Sequence, residues 1–213
     1  MPQYDDHVFI NCPFDREYQP IVEALVFAVH DCGFVARSSL EATDGAEVRI
    51  EKIYRIIGEC RVGIHDISRI EPDSRSGFPR FNMPLELGLF LGARRYGSGR
   101  QKRKACLILE REPFDSQKYC SDIAGQDVRS HYGNPQLAIG AVRSTLASLR
   151  GCCQTATNER CLSEGAPHGN RVRTTACARP KDLLSVTRGW LPRYQASPSA
   201  LPARSFGRRQ SAV

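Results

Sequence analysis

The sequence predicts an α/β protein built on a doubly wound parallel sheet of about five strands, within residues 1–150. Short apolar segments rich in Val, Ile and Phe alternate there with segments whose apolar residues recur at helical spacing. Strands that alternate with helices through short connections pair in parallel, and right-handed crossovers place helices on both faces of the sheet. Residues 151–213 differ in composition and are predicted to form a disordered tail.

The five predicted strands are short apolar runs that end at turn-forming or charged residues. The first stops at Pro13, and the fourth is followed by Glu-Arg-Glu-Pro. The fifth is expected to be a short edge strand. The predicted strands lie at residues 7–12, 34–37, 61–67, 105–109 and 126–129.

Four helices are predicted from apolar residues that recur every three or four positions. Gly33 follows the first helix as a C-terminal cap, and Asn134 with Pro135 begins the last one. Residues 116–124 show no clear pattern of helix or strand. The helices are expected at about 16–32, 48–60, 82–93 and 134–149.

The third helix carries one carboxylate, Glu86, among apolar residues on nearly every face. Asn82 is a good N-cap, so the helix is expected to begin at Asn82 or Met83 with Glu86 near its N-terminal end. Burial raises the pKa of such a carboxyl and the helix N-terminus lowers it, an opposition common for working carboxylates. Gly88 and Gly92 are expected to admit a neighbouring backbone. Satisfaction of Glu86 by an internal Arg or by backbone N–H groups is an equally good alternative.

Composition limits the classes of function. The formal net charge of +7 belongs to the tail, since residues 1–150 hold 20 basic and 20 acidic residues and residues 151–213 hold 10 and 3. The nine cysteines form no CxxC pair and no zinc spacing, so we expect no metal and reduced thiols in a cytoplasmic protein. No secretory leader and no membrane-spanning run is visible, so we expect no membrane partner.

The tail is poor in apolar residues, because only 9 of its 63 residues are Leu, Ile, Val, Met or Phe. Such a segment cannot offset the entropy of ordering it. A basic arm for nucleic acid ranks last among the functions, because the basic residues are dispersed singly. We favour a non-native continuation, translated out of frame after about residue 150, which an intact frame with similar tails in relatives would refute.

Polar residues follow the predicted strands at the carboxyl edge, where a doubly wound sheet binds its ligands. Taken singly, several of them are also compatible with a purely structural role: Asn11 or Asp66 caps a helix or turn, Arg37 forms a surface ion pair, and His65 is a hydrogen-bonded core histidine. The residues expected at this edge are Asn11, Asp15, Arg37, Ser38, Glu41, Asp66, Ser68, Asn82 and Glu86.

Several common catalytic motifs are absent from the sequence. It has no GxGxxG after the first strand, no GxxxxGK[ST] and no GxSxG elbow. Cys12 is not followed at once by a helix N-terminus that would lower its pKa. Dinucleotide sites of the glycine-rich kind, P-loop sites and acyl-transfer nucleophiles are therefore not expected.

Segments within residues 5–150 resemble the TIR (Toll/interleukin-1 receptor) domain: the first strand at 6–11, residues 49–68, and Leu85-Glu86-Leu87. The chain is also similar to nucleoside 2-deoxyribosyltransferases, in the Pro13-Phe14 loop and in the Glu-x-Gly-x-x-x-Gly pattern from Glu86 to Gly92. It most resembles bacterial TIR-like predicted nucleotide-binding proteins, some of which accompany antiviral defence systems. The resemblance implies a flavodoxin-like sheet.

The resemblance also implies roles for individual residues. In both families the glutamate that matches Glu86 acts on an N-glycosidic bond, as nucleophile or by stabilising the ribosyl cation. The substrate-binding residues it implies are Asn11, then Asp66, Ser68 and Asn82 for ribose hydroxyls, Phe14 for stacking on a base, and Arg37 for a phosphate.

Two functions follow as hypotheses. The first is an N-ribosyl hydrolase or transferase that uses NAD or a related nucleotide as substrate, with no separate cofactor and with Glu86 as the catalytic carboxylate. The alternative is a catalytically silent TIR-like module that senses a nucleotide or interacts with proteins. A homo-oligomer or TIR-type assembly is compatible with either hypothesis.

Overall fold

The computed structural model describes residues 3–41, 46–69, 77 and 79–150; the tail predicted at 151–213 lies outside them. Its strands are β1 (His7–Asn11), β2 (Val35–Arg37), β3 (Val62–Asp66), β4 (Ala105–Glu110) and β5 (Val128–Ser130). They form one parallel sheet in the order β2-β1-β3-β4-β5. This is the strand order of the flavodoxin-like doubly wound fold, so the predicted fold class is confirmed.

The helices are α1 (Gln19–Asp31), α2 (Arg49–Glu59), α3 (Asn82–Tyr96) and α4 (Pro135–Leu149). Helices α1 and α4 pack together on one face of the sheet, and α2 and α3 cover the other. Within the described ranges, none of these helices has both the length and the apolar character that crossing a membrane requires.

Two predicted helix ends are confirmed. Gly33, at φ 73°, follows α1, and its N–H donates to the His30 carbonyl at 2.8 Å while that of Phe34 donates to Val29 at 3.0 Å. This pair of bonds is the Schellman arrangement, for which glycine is favoured because it tolerates a positive φ. Asn134 caps α4, since its side chain accepts a hydrogen bond from the Gln136 N–H.

Alternation along the strands sends successive side chains to opposite faces of the sheet. In β1, Val8 and Ile10 belong to the core under α1 and α4, while Phe9 packs with α2 and α3. Asn11 shares the face of Phe9 and bonds to α3. The predicted site residues therefore fall on both sides of the sheet, although they share its carboxyl edge.

The connection from β4 to β5 contains no α-helix. Two short 3-10 turns, Ser116–Lys118 and Ser121–Ile123, occupy it. Ile123 is buried and packs with Met83 and Leu87 of α3. The segment without a clear sequence pattern thus supplies one apolar side chain in place of a full crossover helix.

Helix α3 differs from prediction in three respects. It begins at Asn82, but the N-cap position is Phe81 and no side chain caps this end. It is buried on one face only, since Leu85 is 55% exposed. A Cβ added at Gly88 or Gly92 would meet no atom within 4 Å, so no described backbone approaches these glycines.

Candidate active site

Glu86 is the unusual group at the carboxyl edge. Its side chain is 4% exposed, yet no described residue forms a hydrogen bond or an ion pair with it. Burial raises the pKa of Glu86 from 4.5 to about 7, and the positive charge of Arg49 acts in the opposite direction. A carboxyl with such a pKa exchanges protons near neutral pH.

The thiol of Cys12 lies among the acidic groups of the carboxyl edge, including Glu86. The thiol is buried directly after β1, and burial raises its pKa well above the usual value. The negative charges of Asp66, Glu86 and Asp15 raise it further, so three carboxylates lie close to this one sulfur. Cys12 therefore stays a protonated thiol. The hydrogen bond from Asn11, at the end of β1, to the Met83 carbonyl holds the first turn of α3 at the same edge, near the β1/β3 switch point where such sheets bind ligands.

Asn11 links the end of β1 to the first turn of α3, the helix that carries Glu86. Its amide Nδ2 donates to the Met83 carbonyl at 2.9 Å and lies 3.0 Å from Nδ1 of His65. Burial, followed by the charge of Lys104, lowers the pKa of His65 to about 3, so the ring is neutral and its Nδ1 accepts this hydrogen bond. His65 is thus a hydrogen-bonded core histidine, and Asn11 positions the first turn of α3.

Asp66 is the centre of a second polar cluster, on the α1 and α4 side of the sheet. Its Oδ2 accepts a hydrogen bond from the Tyr18 hydroxyl at 2.5 Å, and its Oδ1 accepts from the Ser68 hydroxyl at 2.5 Å and the Ser68 N–H at 3.1 Å. His131 Nε2 lies 3.2 Å from Oδ2. Since Nδ1 of His131 accepts from the Gly133 N–H, Nε2 carries the ring proton in the neutral tautomer.

This cluster joins three segments of the carboxyl edge. Tyr18 precedes α1, Asp66 ends β3 and His131 follows β5. Burial raises the pKa of the Tyr18 hydroxyl, and the Asp66 charge raises it further, so Tyr18 acts only as a neutral donor and acceptor. The carboxylate oxygens of Asp66 are committed to protein donors, which makes the cluster a brace for the loops around the site.

The remaining predicted site residues differ in how freely they can meet a ligand. Asn82 is exposed one turn before Glu86, and none of the described residues bonds to its side chain. Phe14 is half-buried against the α1 and α4 core. Arg37 forms ion pairs with Glu41 at 2.6 Å and Glu59 at 3.1 Å. This is the structural role, an ion pair, that the sequence allowed for Arg37 as the alternative to phosphate binding.

Tyr18 and His131 are absent from the residues proposed on sequence. His131 comes two residues after the predicted fifth strand at 126–129 and directly after the observed β5, so the carboxyl-edge rule that selected Asp66 would also have reached it. Tyr18 carries no comparable signal, because it lies within a predicted helix at 16–32 and its partners are distant in the chain.

Among known proteins, the chain shows one distant structural similarity. No protein-family model matches the sequence, and a comparison with curated proteins found no match. Among solved structures, the chain is similar to a diflavin flavoprotein A3 from Nostoc sp., with 15% identity and a TM-score of 0.42. The match covers 70% of this chain and 96% of that one.

Proposed function

We propose that this protein is an N-ribosyl hydrolase or transferase acting on NAD or a related nucleotide, with Glu86 as its catalytic carboxylate. The observation that carries the proposal is the burial of this carboxyl without a partner among the described residues, at the ligand-binding edge of the sheet. Ionisation of a carboxyl whose pKa burial raises to about 7 reduces stability, so the presence of Glu86 is best explained by work done on a substrate.

The chemistry suits a carboxylate with a pKa near 7. The nicotinamide ring of NAD is cationic, and it leaves as a neutral base when its bond to the ribose breaks, taking the bonding electron pair. Positive charge then develops on the sugar, and a fixed, largely buried carboxylate stabilises it most in the transition state. Water or another acceptor then bonds to the anomeric carbon and loses its proton.

Binding and catalysis are linked through the charge of Glu86. A cationic ring placed beside the carboxyl favours its ionised form, so substrate binding near pH 7 should release a proton. In this proposal Asn11 sets the direction of the first turn of α3, and Asn82 is available to bond a ribose hydroxyl. The cluster around Asp66 holds the three loops in place rather than contacting the sugar.

A catalytically silent TIR-like module remains the second candidate. It is favoured by Arg37 and Asp66, two predicted substrate-binding groups that bond to protein partners instead. Such a module would sense a nucleotide or interact with proteins, as a homo-oligomer or a TIR-type assembly. Under either candidate, the TIR-like resemblance suggests a place in bacterial antiviral defence.

The test is to incubate the purified full chain with NAD and to measure the released nicotinamide by chromatography. We expect Glu86→Gln to reduce the rate by about 100- to 1,000-fold, the loss typical of a preorganised electrostatic group. The matched control is Asp31→Asn, because the Asp31 side chain is also largely buried, at 11% exposed, but lies at the C-terminal end of α1, away from the carboxyl edge. Full activity in Glu86→Gln would refute the role of Glu86, whereas NAD binding without turnover by the native chain would favour the silent module.

A further inference from the structure

Two bulky residues adopt a left-handed backbone in the described part of the chain. Phe114 has φ 68° and Tyr132 has φ 53°, and they are the only non-glycine residues with positive φ there. This conformation disfavours side chains with a Cβ, and it is an outlier for large ones. Both rings are also exposed, at 68% and 56%, so burial in the core does not explain the strain.

Hydrogen bonds hold both residues in place. The Glu110 carboxylate accepts the N–H of Phe114 at 3.0 Å and that of Ser116 at 3.1 Å. The Tyr132 N–H donates to the Arg111 carbonyl at 2.8 Å, which continues the pairing of β4 with β5 beyond the strands. The loops after β4 and β5 are therefore linked to each other, and together they present two aromatic rings to solvent. We call Phe114 and Tyr132 the aromatic ledge.

The aromatic ledge shares the carboxyl edge with Glu86 but lies across the sheet from it. Glu86 lies in the α3 segment whose first turn bonds to Asn11 at the end of β1, whereas the ledge follows β4 and β5. In the strand order, β4 and β5 are two and three positions from β1. At the usual spacing between strands, β4 and β5 therefore lie about 10–14 Å from β1. A ring at that distance cannot stack on a base bonded to the ribose beside Glu86. It can stack on a second ring at the far end of a longer substrate.

We propose that the aromatic ledge binds the second base of a dinucleotide whose ribosyl bond lies at Glu86. This inference rests on the proposed function and narrows its substrate from nucleotides in general to dinucleotides. Stacking needs only a flat apolar face, and exposed Phe and Tyr rings on rigid loops provide it. The strained backbone is then explained, because it fixes the direction of rings that would otherwise be mobile.

The experiment compares NAD with nicotinamide mononucleotide, which has the same ribosyl bond but lacks the second base. Binding is measured by calorimetry in the full chain carrying Glu86→Gln, which is expected to slow turnover about 100- to 1,000-fold. Phe114→Asn and Tyr132→Asn delete each ring, and asparagine suits a left-handed backbone better than other side chains do. Tyr96→Asn is the control, since Tyr96 is 86% exposed at the C-terminal end of α3, the end away from Glu86.

We expect each ledge variant to weaken NAD binding by roughly 5- to 150-fold, the loss that deleting one stacked base contact usually causes. Nicotinamide mononucleotide binding, and NAD binding by the control, should not change. NAD affinity that is unchanged in both ledge variants, or no NAD binding at all, would overturn the inference. Nicotinamide release is scored separately in the native chain. If the native chain releases no nicotinamide but NAD binding weakens in the ledge variants, only the proposed function is refuted. If nicotinamide is released but NAD binding is the same in the ledge variants, only the inference about the ledge is refuted.

Discussion

Replacing Glu86 by Gln should stabilise the folded protein, and the gain should depend on pH. The substitution keeps the shape of the side chain and removes its charge. Raising the carboxyl pKa from 4.5 to about 7 means that the folded chain binds the extra proton more tightly than the unfolded chain does. Between these two pH values, the free energy of unfolding of the native protein therefore falls as pH rises, and above pH 7 the loss is complete.

The size of the effect follows from the same values. At about 1.4 kcal/mol per pKa unit, ionised Glu86 destabilises the fold by about 3 kcal/mol above pH 7 and by nothing near pH 4. Glu86→Gln should thus match the native chain at pH 4 and exceed its free energy of unfolding by up to about 3 kcal/mol at pH 8. For a domain of about 150 residues this corresponds to a melting temperature higher by roughly 6–12 °C.

The assay is urea unfolding followed by circular dichroism at several pH values, with Glu110→Gln as the matched control. Glu110 is buried to the same extent, but its carboxylate accepts hydrogen bonds from the N–H groups of Phe114 and Ser116. Its replacement should destabilise the protein, because a neutral amide is a weaker acceptor for these donors. A Glu86→Gln variant no more stable than the native chain at pH 8 would show that solvent or a partner satisfies Glu86, which removes the basis of the proposed function.

Three further predictions follow. The kcat/KM for nicotinamide release should rise about tenfold per pH unit below pH 7 and level off above it, because the working form of Glu86 is ionised; a flat profile from pH 5.5 to 8.5 would contradict this. Gly63→Ala should cost about 1–3 kcal/mol in denaturant unfolding, since its Cβ would lie 2.8 Å from the Phe90 ring. Tyr18→Phe should cost about 1–3 kcal/mol because it leaves the buried Asp66 with one donor fewer, and thermal unfolding equal to that of the native chain would argue against the brace.

Much of the fold was accessible from sequence because strands and helices are encoded locally. The predicted strand at 7–12 and the observed His7–Asn11 differ by one residue, since a run of apolar residues ending at Pro13 leaves few alternatives. Gly33 and Asn134 were placed correctly for the same reason, because each cap depends on one residue and its nearest neighbours.

The environment of α3 was predicted less well. Apolar residues on nearly every face suggested a fully buried helix, whereas Leu85 and Gly88 are exposed. A local pattern states which side chains could be buried, but which ones are covered depends on neighbouring elements. Here the β4–β5 connection supplies two short turns and no α-helix, so part of α3 lacks a neighbour in the described structure.

The sequence by itself determined the α/β class, the order of the elements along the chain, and the presence of one carboxylate in an apolar helix that begins at the carboxyl edge of the sheet. Only the tertiary structure decided the partners of each polar side chain. Tyr18 meets Asp66, 48 residues away, and His131, 113 residues away. The sheet brings such residues together while strand alternation sends Asn11 and Asp66 to opposite faces. Hydrogen bonds between distant segments leave no local pattern in the sequence. Asp66 is bonded to several protein donors, whereas Glu86 has no hydrogen-bond partner among the described residues. This difference between two buried carboxylates is visible only in the folded chain.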